Sequence, residues 1–447
     1  MNKKLWSLIS LLLIATLVLT ACGQPAATQP PAAEPPAAEE PATEPAAEEP
    51  PAAEEPATEP AAEEPPAAGE TSIAIWHQWT GDYLTAITEV FNDYTAQNPN
   101  VKIELTNPED VQNALKVAIP AGEGPDIIGW ANDHIGDLAL QGFIVPLEEY
   151  GIDMGYLESN FEPAAVQGVV WQDQVWALPE SQEGIAIVYN TALASEEDFP
   201  ADPTDWAGLV EKAQAFSEAN PGTVLICNQG LGNKDAYHAA PIYFGHGVPG
   251  YVDDEGNVNL DTPEALAAAN WMLEFKPYAP AETSHDICKA MITEGKAAAW
   301  WTGPWAIADL EAAGIDYGIL PMGSPFVGIK TLMLSANAAE RGNAEVAMDI
   351  MRFFTMAENA KKMALANKTI PANTEALNDP EIQGLDTLAG FGASMSQGMP
   401  MANTPFASAQ WDPVGDATTA IWNGSQTPEE GLAAAQQAAE AKVAEMK

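Results

Sequence analysis

Positive charge is what this chain has least of: 17 Lys and Arg stand against 64 Asp and Glu in 447 residues, a formal net charge of −47. That balance excludes nucleic-acid binding, because neutralising phosphates takes clustered Lys and Arg. It also excludes docking on an anionic membrane through a polybasic patch. Histidine is scarce as well. The five (His77, His134, His238, His246 and His285) include no zinc-protease spacing. The three cysteines, Cys22, Cys227 and Cys288, form no CxxC or mixed Cys/His pattern, so no metal site is expected. Cys227 and Cys288 are open to two readings, a disulfide in an oxidising compartment or two buried thiols. There is no GxSxG elbow, no P-loop and no GxGxxG. Acidic residues are too abundant for any two to stand out as a glycosidase pair. No catalytic residue, metal or cofactor is expected. Past residue 19, no apolar run is long enough to span a bilayer.

What is present begins with an export signal. Met1-Asn2-Lys3-Lys4 is a positive start, Leu5 to Leu19 is an apolar stretch too short for a stable membrane span, and Leu19-Thr20-Ala21-Cys22-Gly23 follows. That ending resembles the bacterial lipobox, which implies cleavage before Cys22 and lipidation of its thiol, with multiple acyl chains giving a lasting anchor. Residues 23–70 are low complexity in Ala, Pro and Glu. The unit PPAAEEPATEPAAEE fills 35–49 and recurs unchanged at 50–64. A segment with no core-forming residues and no base is expected to stay disordered and extended. At ~3.1 Å per residue it reaches at most roughly 150 Å, the dimension of a tether.

The folded part reads as α/β. Thr71 to Trp76 is a strand, Leu84, Ile87, Val90, Phe91 and Tyr94 share a helix face ended by Asn98-Pro99, Val101 to Leu105 is a strand and Val111 to Ala118 a helix. Gly124 to Ala139, GPDIIGWANDHIGDLA, then gives a turn, a short buried strand, and Trp130 and Asp133 beyond its carboxyl end. Open α/β sheets bind ligands at such strand ends. The alternation predicts a parallel, doubly wound sheet. Val170 to Leu178 reads as a hairpin turning near Gln172-Asp173, and Pro179 to Asn190 as a polar entry into a strong strand. A second α/β unit follows without a linker-like break, so the chain is expected to cross between lobes more than once. Thr427-Pro428-Glu429-Glu430 opens a last helix with capping-box spacing.

Tryptophan and tyrosine recur at element ends beside polar groups: Trp79 with Gln78, Trp130 with Asp133, Tyr237 with His238, then Trp305, and Trp411 with Asp412. Sugars present C–H faces to flat rings and hydroxyls to carboxylates and amides. Trp76, Trp271 and Trp300 lie inside regular elements and are assigned to the core.

Several pieces in order (GPDIIGWANDHIGDLA, Glu183 to Asn190, Gly303-Pro304-Trp305-Ala306, Phe326-Val327-Gly328, and Pro400-Met401-Ala402-Asn403 ahead of Trp411) resemble the maltose-binding protein family of bacterial ABC-transporter solute-binding proteins. The resemblance covers about 71–447. It implies an α/β, two-lobed periplasmic-binding-protein fold, each lobe a central sheet flanked by helices, with the ligand cleft between lobes. Lobe 1 would hold 71–182 and about 326–372, lobe 2 about 183–325 and 373–447. Carried over by position, the ligand-binding residues are Gln78, Trp79, Trp130, Asp133, His134, Glu183, Tyr237, Trp305 and Trp411. His134 stands where the maltose-type pattern has Arg, and Trp79-Thr80-Gly81 replaces a short polar, Lys-bearing loop, so the bulky ring is expected to narrow or reshape the first subsite. The implied partners are a small maltose-like oligosaccharide, ABC permease transmembrane subunits, and the membrane through the lipid anchor. The protein is expected to be a monomer, extracytoplasmic and not an enzyme. The alternatives from other classes are a polyamine-binding protein, a surface glycoside hydrolase and a purely structural surface lipoprotein.

Overall fold

A computed structural model describes residues 69–447. The export signal, the lipobox with Cys22 and the repeat tract lie outside the described residues. The chain opens with β1 (Thr71–His77), the helix Gly81–Gln97, β2 (Val101–Thr106), the helix Val111–Ala118 and β3 (Ile127–Ala131). As the alternation predicts, β1 lies between β2 and β3 and runs parallel to both. The first helix buries Ile87, Val90, Phe91 and Tyr94 against this sheet. The hairpin β4 (Val170–Trp171) and β5 (Gln174–Val175) turns through Gln172 and Asp173, both left-handed at φ 52° and 60°.

β6 (Ala177–Glu183) follows, then β7 (Ala186–Asn190), β8 (Val224–Asn228), β9 (Ala297–Thr302), β10 (Tyr317–Leu320), β11 (Phe326–Leu334), β12 (Ile370–Pro371) and β13 (Met399–Pro400). They make two main sheets. The first has the order β12-β6-β11-β3-β1-β2, with β13 beside the start of β11; the second has the order β10-β7-β9-β8. The stretch read as one strand with a polar entry is therefore two, β6 in the first sheet and β7 in the second, separated by Gly184-Ile185. β11 runs antiparallel to both β3 and β6, which corrects the wholly parallel sheet predicted. It arrives from the second lobe across the gap, not through a helical crossover on its own sheet, and only such a crossover imposes parallel pairing.

Each lobe has its own core. Ile73, Ile75, Ile127, Leu332 and Met333 pack with Leu115, Met348 and Phe354 in the first. In the second lobe the sheet is buried on both faces, as period-two alternation requires. Ile187 and Trp301 face Tyr243 and Met272, while their neighbours Val188 and Trp300 face Phe391. Trp271 and Trp300 are buried, and Trp76 is half-buried. The last helix, Pro428–Met446, starts with the reciprocal Thr427/Glu430 capping box its sequence announces. Among the described residues, no helix is long and apolar enough to cross a membrane.

Cys227 and Cys288 are joined, tying β8 to the helix His285–Thr293 across 61 positions of sequence. Closing a loop of that size restricts the unfolded chain. Replacing both cysteines by serine should lower the unfolding free energy by about 2–4 kcal/mol. Denaturant titration reads this as a lower midpoint, with a steeper slope because the released unfolded chain exposes more surface; an unchanged midpoint would reject it.

Candidate functional site

Gly124 to Ala139 is fixed in place before it can present anything. Asp126, buried, accepts hydrogen bonds from Ala74 N at 2.8 Å, the Arg341 guanidinium at 2.8 Å and Asn343 Nδ2 at 3.0 Å. Asn132, also buried, accepts from Ile329 N at 2.9 Å and donates to Met401 O at 3.0 Å. One amide thus binds this stretch to β11 and to the chain that leads into Trp411. Two glycines permit the approach of neighbours. A Cβ on Gly129 would stand 2.8 Å from the Trp79 ring, and one on Gly136 2.4 Å from the Pro405 backbone.

Between the lobes lies a cleft of about 450 Å3, the size of a small-ligand site. Gln78, Trp79, Trp130, Asp133, His134, Glu183, Tyr237, Trp305 and Trp411 all line it. The first lobe supplies Gln78 after β1, Trp130 near the end of β3, and Asp133 and His134 in the turn that follows. Glu183 closes β6 at the crossing. The second lobe supplies three half-buried rings. Tyr237 stacks on Phe326 with centroids 5.9 Å apart, Trp305 lies 6.1 Å from Tyr237, and Trp411 meets Phe326 edge-on at 5.6 Å. The Trp411 indole N–H donates to Asp133 Oδ2 at 2.7 Å, a bond from one lobe to the other. Gln112 lies 2.8 Å from His134 Nδ1 through its amide nitrogen. His134 Nε2 is 3.8 Å from Asp133 Oδ2.

Trp79 departs from expectation. It is 2% exposed, its ring stacked on His77 at 4.9 Å and on Phe354 at 5.7 Å. Its indole N–H donates to Glu180. Both ring faces are taken by core, so Trp79 is floor and offers no open aromatic face. The reading of Trp79 as a bulky ring standing in the first subsite is corrected: the absent Cβ of Gly129 gives it room to fold inward.

Sequence reasoning missed the centre of the cleft. Lys330 on β11 lies 3.0 Å from Glu183 Oε1, 4.1 Å from the Tyr83 ring centroid and 5.5 Å from that of Trp305. The one signal was its charge inside the otherwise apolar run of Phe326 to Leu334. Tyr83 donates to Glu180 Oε1 at 2.8 Å. His285 and Asp309 line the second-lobe side, with Asp309 2.8 Å from Lys289. Among the described residues, no three His, Cys, Asp or Glu side chains are placed to hold a metal ion.

Comparison with known proteins bears on the family and the fold. The family model described as bacterial extracellular solute-binding protein matches residues 89–389. The maltotriose-binding protein of Pyrococcus abyssi is 30% identical over 79% of this chain and 78% of its own length. The galactooligosaccharide-binding protein of Bacillus subtilis is 25% identical over 74% of this chain and 79% of its own. The maltose/maltodextrin-binding domain of Bdellovibrio bacteriovorus, solved with maltotriose, superposes with a TM-score of 0.75 at 22% identity, over 84% of this chain and all of that one.

Burial, reinforced by the nearby Glu183 charge and opposed by Lys330 and by the Tyr83 and Trp79 hydrogen bonds, raises the Glu180 carboxyl from 4.5 to about 7. In the window from 4.5 to about 7 the folded protein holds this proton and the unfolded chain has lost it. The stability it contributes is therefore full below 4.5 and is lost as pH rises through about 7. Glu180→Gln should remove that part of the pH dependence, leaving the variant more stable than the parent at pH 8 by up to about 3 kcal/mol. Melting curves at pH 4.5 and 8 measure it, and an unchanged difference between the two proteins would sink the assignment.

Proposed function

This chain belongs to the bacterial extracellular solute-binding proteins, and from that premise we propose that it is the substrate-binding component of an ABC sugar importer. It captures maltose, a maltodextrin or a related oligosaccharide and delivers it to a membrane permease. The observation that carries the reading is the cleft. Three half-buried rings of the second lobe, Tyr237, Trp305 and Trp411, face the polar groups Gln78, Asp133, His134 and Glu183. Rings cover the C–H faces of a sugar, and the polar groups take its hydroxyls. Relatives named for maltotriose and galactooligosaccharide support a short, uncharged saccharide.

The lobes divide at the crossings. Lobe 1 is 71–182 with about 326–372, and lobe 2 is about 183–325 with 373–447. A ligand bridging both stabilises the closed arrangement, and Gln182 to Ala186 and Phe326 to Ile329 act as the hinge. The protein acts as a monomer and as a carrier, not a catalyst: Glu183 is held by Lys330, and Glu180 sits behind Tyr83 and Trp79. Lipidation at Cys22 anchors it to the outer face of the cell membrane, with residues 23–70 as its tether. Its partners are the sugar, the permease transmembrane subunits and, through the anchor, the membrane.

Calorimetric titration with maltotriose should give saturable binding and titration with spermidine none; the reverse would favour the polyamine alternative. Trp305→Ala should weaken maltotriose binding by about 2 kcal/mol, roughly thirtyfold, because a central desolvated ring is lost. An unchanged affinity would remove Trp305 from the site.

A further inference from the structure

We infer that Lys330 determines the charge class of the ligand: it confines this cleft to uncharged saccharides and shuts out amine-bearing ones. The inference rests on the saccharide-binding reading above and narrows it.

The cleft of so acidic a chain ought to be a trap for cations. Asp133, Glu183 and Asp309 line it, and Glu180 lies behind its floor. Carboxylates beside open aromatic faces are what recognise ammonium groups. Lys330 occupies both kinds of contact from within. Its ammonium group stands 3.0 Å from Glu183 and 4.1 Å over the Tyr83 ring, and 5.5 Å from the Trp305 centroid. Asp309 is paired in the same way by Lys289, while Asp133 Oδ2 accepts from the neutral Trp411 indole N–H. A second cation would have to displace Lys330 from its partners or sit against it in a partly dry cleft. A neutral hydroxyl does neither: it can accept from the ammonium group or donate to a free carboxylate lone pair while the pair stays intact. Selectivity thus comes from a repulsive element as well as attractive contacts. β11 sets the Lys330 backbone between Ala131 of β3 and Ser181 of β6, and the register with β6 shifts between Lys330 and Thr331.

The test is the ratio of affinities for maltotriose and for an amino-maltotriose, the same α-1,4 trimer with one hydroxyl replaced by an amine, measured by calorimetry at pH 6 on the folded protein. The parent should prefer the neutral trimer. Lys330→Met should shift the ratio toward the amine by about tenfold or more, since a like charge is removed and Glu183 is freed. Lys330→Arg should restore discrimination. Glu183 left alone and buried is a stability risk, so a Lys330→Met/Glu183→Gln double variant, with no unpaired charge, is measured beside it. It should also shift toward the amine, by less than Lys330→Met alone, because the ring faces are open but the attracting carboxylate is gone. A ratio equal to the parent's in whichever of these variants folds overturns the inference. If instead the parent binds neither trimer, the saccharide reading fails, and amine binding gained by the Lys330 variants still reports on the charge role.

Discussion

The pairing of β6 with β11 is the constraint on which the rest depends. These are the strands by which the chain leaves the first sheet and returns to it, and they lie side by side with Gly328 opposite Glu183 and Ile329 opposite Gln182. The pairing sets these two crossings side by side, and β12, from which the chain leaves the first sheet a second time, pairs with β6 at the same place. The pairing of β6 with β11 also brings Glu183 to within 3.0 Å of Lys330, at the centre of the cleft. The amide of Asn132 completes the arrangement, since its bonds to Ile329 and Met401 fix the first-lobe turn that lines the cleft to the same place. A change at this junction would move the cleft lining and both strands together.

The electrostatics of the cleft differ in kind from those of the chain. The formal net charge of −47 is that of the whole chain, and exposed carboxylates are screened within about a Debye length. Inside, each acid has a partner: Glu183 has Lys330, Asp309 has Lys289, Asp133 has Trp411, and Glu180 has Tyr83 and Trp79. Burial penalises an unpaired charge heavily, so an acidic protein that keeps an apolar-walled cleft has to neutralise that cleft locally. The same burial raises Glu180 to about 7.

Much of the site could be read from residues because ligand-facing positions in α/β folds are tied to strand ends, and strand ends are marked by local signals. Trp130 and Asp133 follow a short apolar strand; Trp305 and Trp411 follow turns. Trp79 looked the same locally and proved to be floor. What decides between a ring facing outward and one folded inward is whether space lies beneath it, and that space is made by Gly129, 50 positions along the chain. Lys330 went unnoticed for the complementary reason. A lone charge in an apolar strand has no meaning until its partner, Glu183, is brought opposite it by strand pairing, and Glu180 was one acid among 64.

The sequence by itself determined the order of strands and helices through the first lobe, the capped last helix and the identity of the rings that edge the cleft, because periodicity, caps and turn residues act over a few positions. It also determined the formal net charge of −47. Only the tertiary structure decided that β11 runs antiparallel between β3 and β6 and that Pro179 to Asn190 divides between two sheets. It alone decided that Cys227 meets Cys288 and that one lysine sits over the rings and against the acid at the centre. Each of those depends on segments far apart in the chain meeting in one register, and no local pattern encodes that meeting.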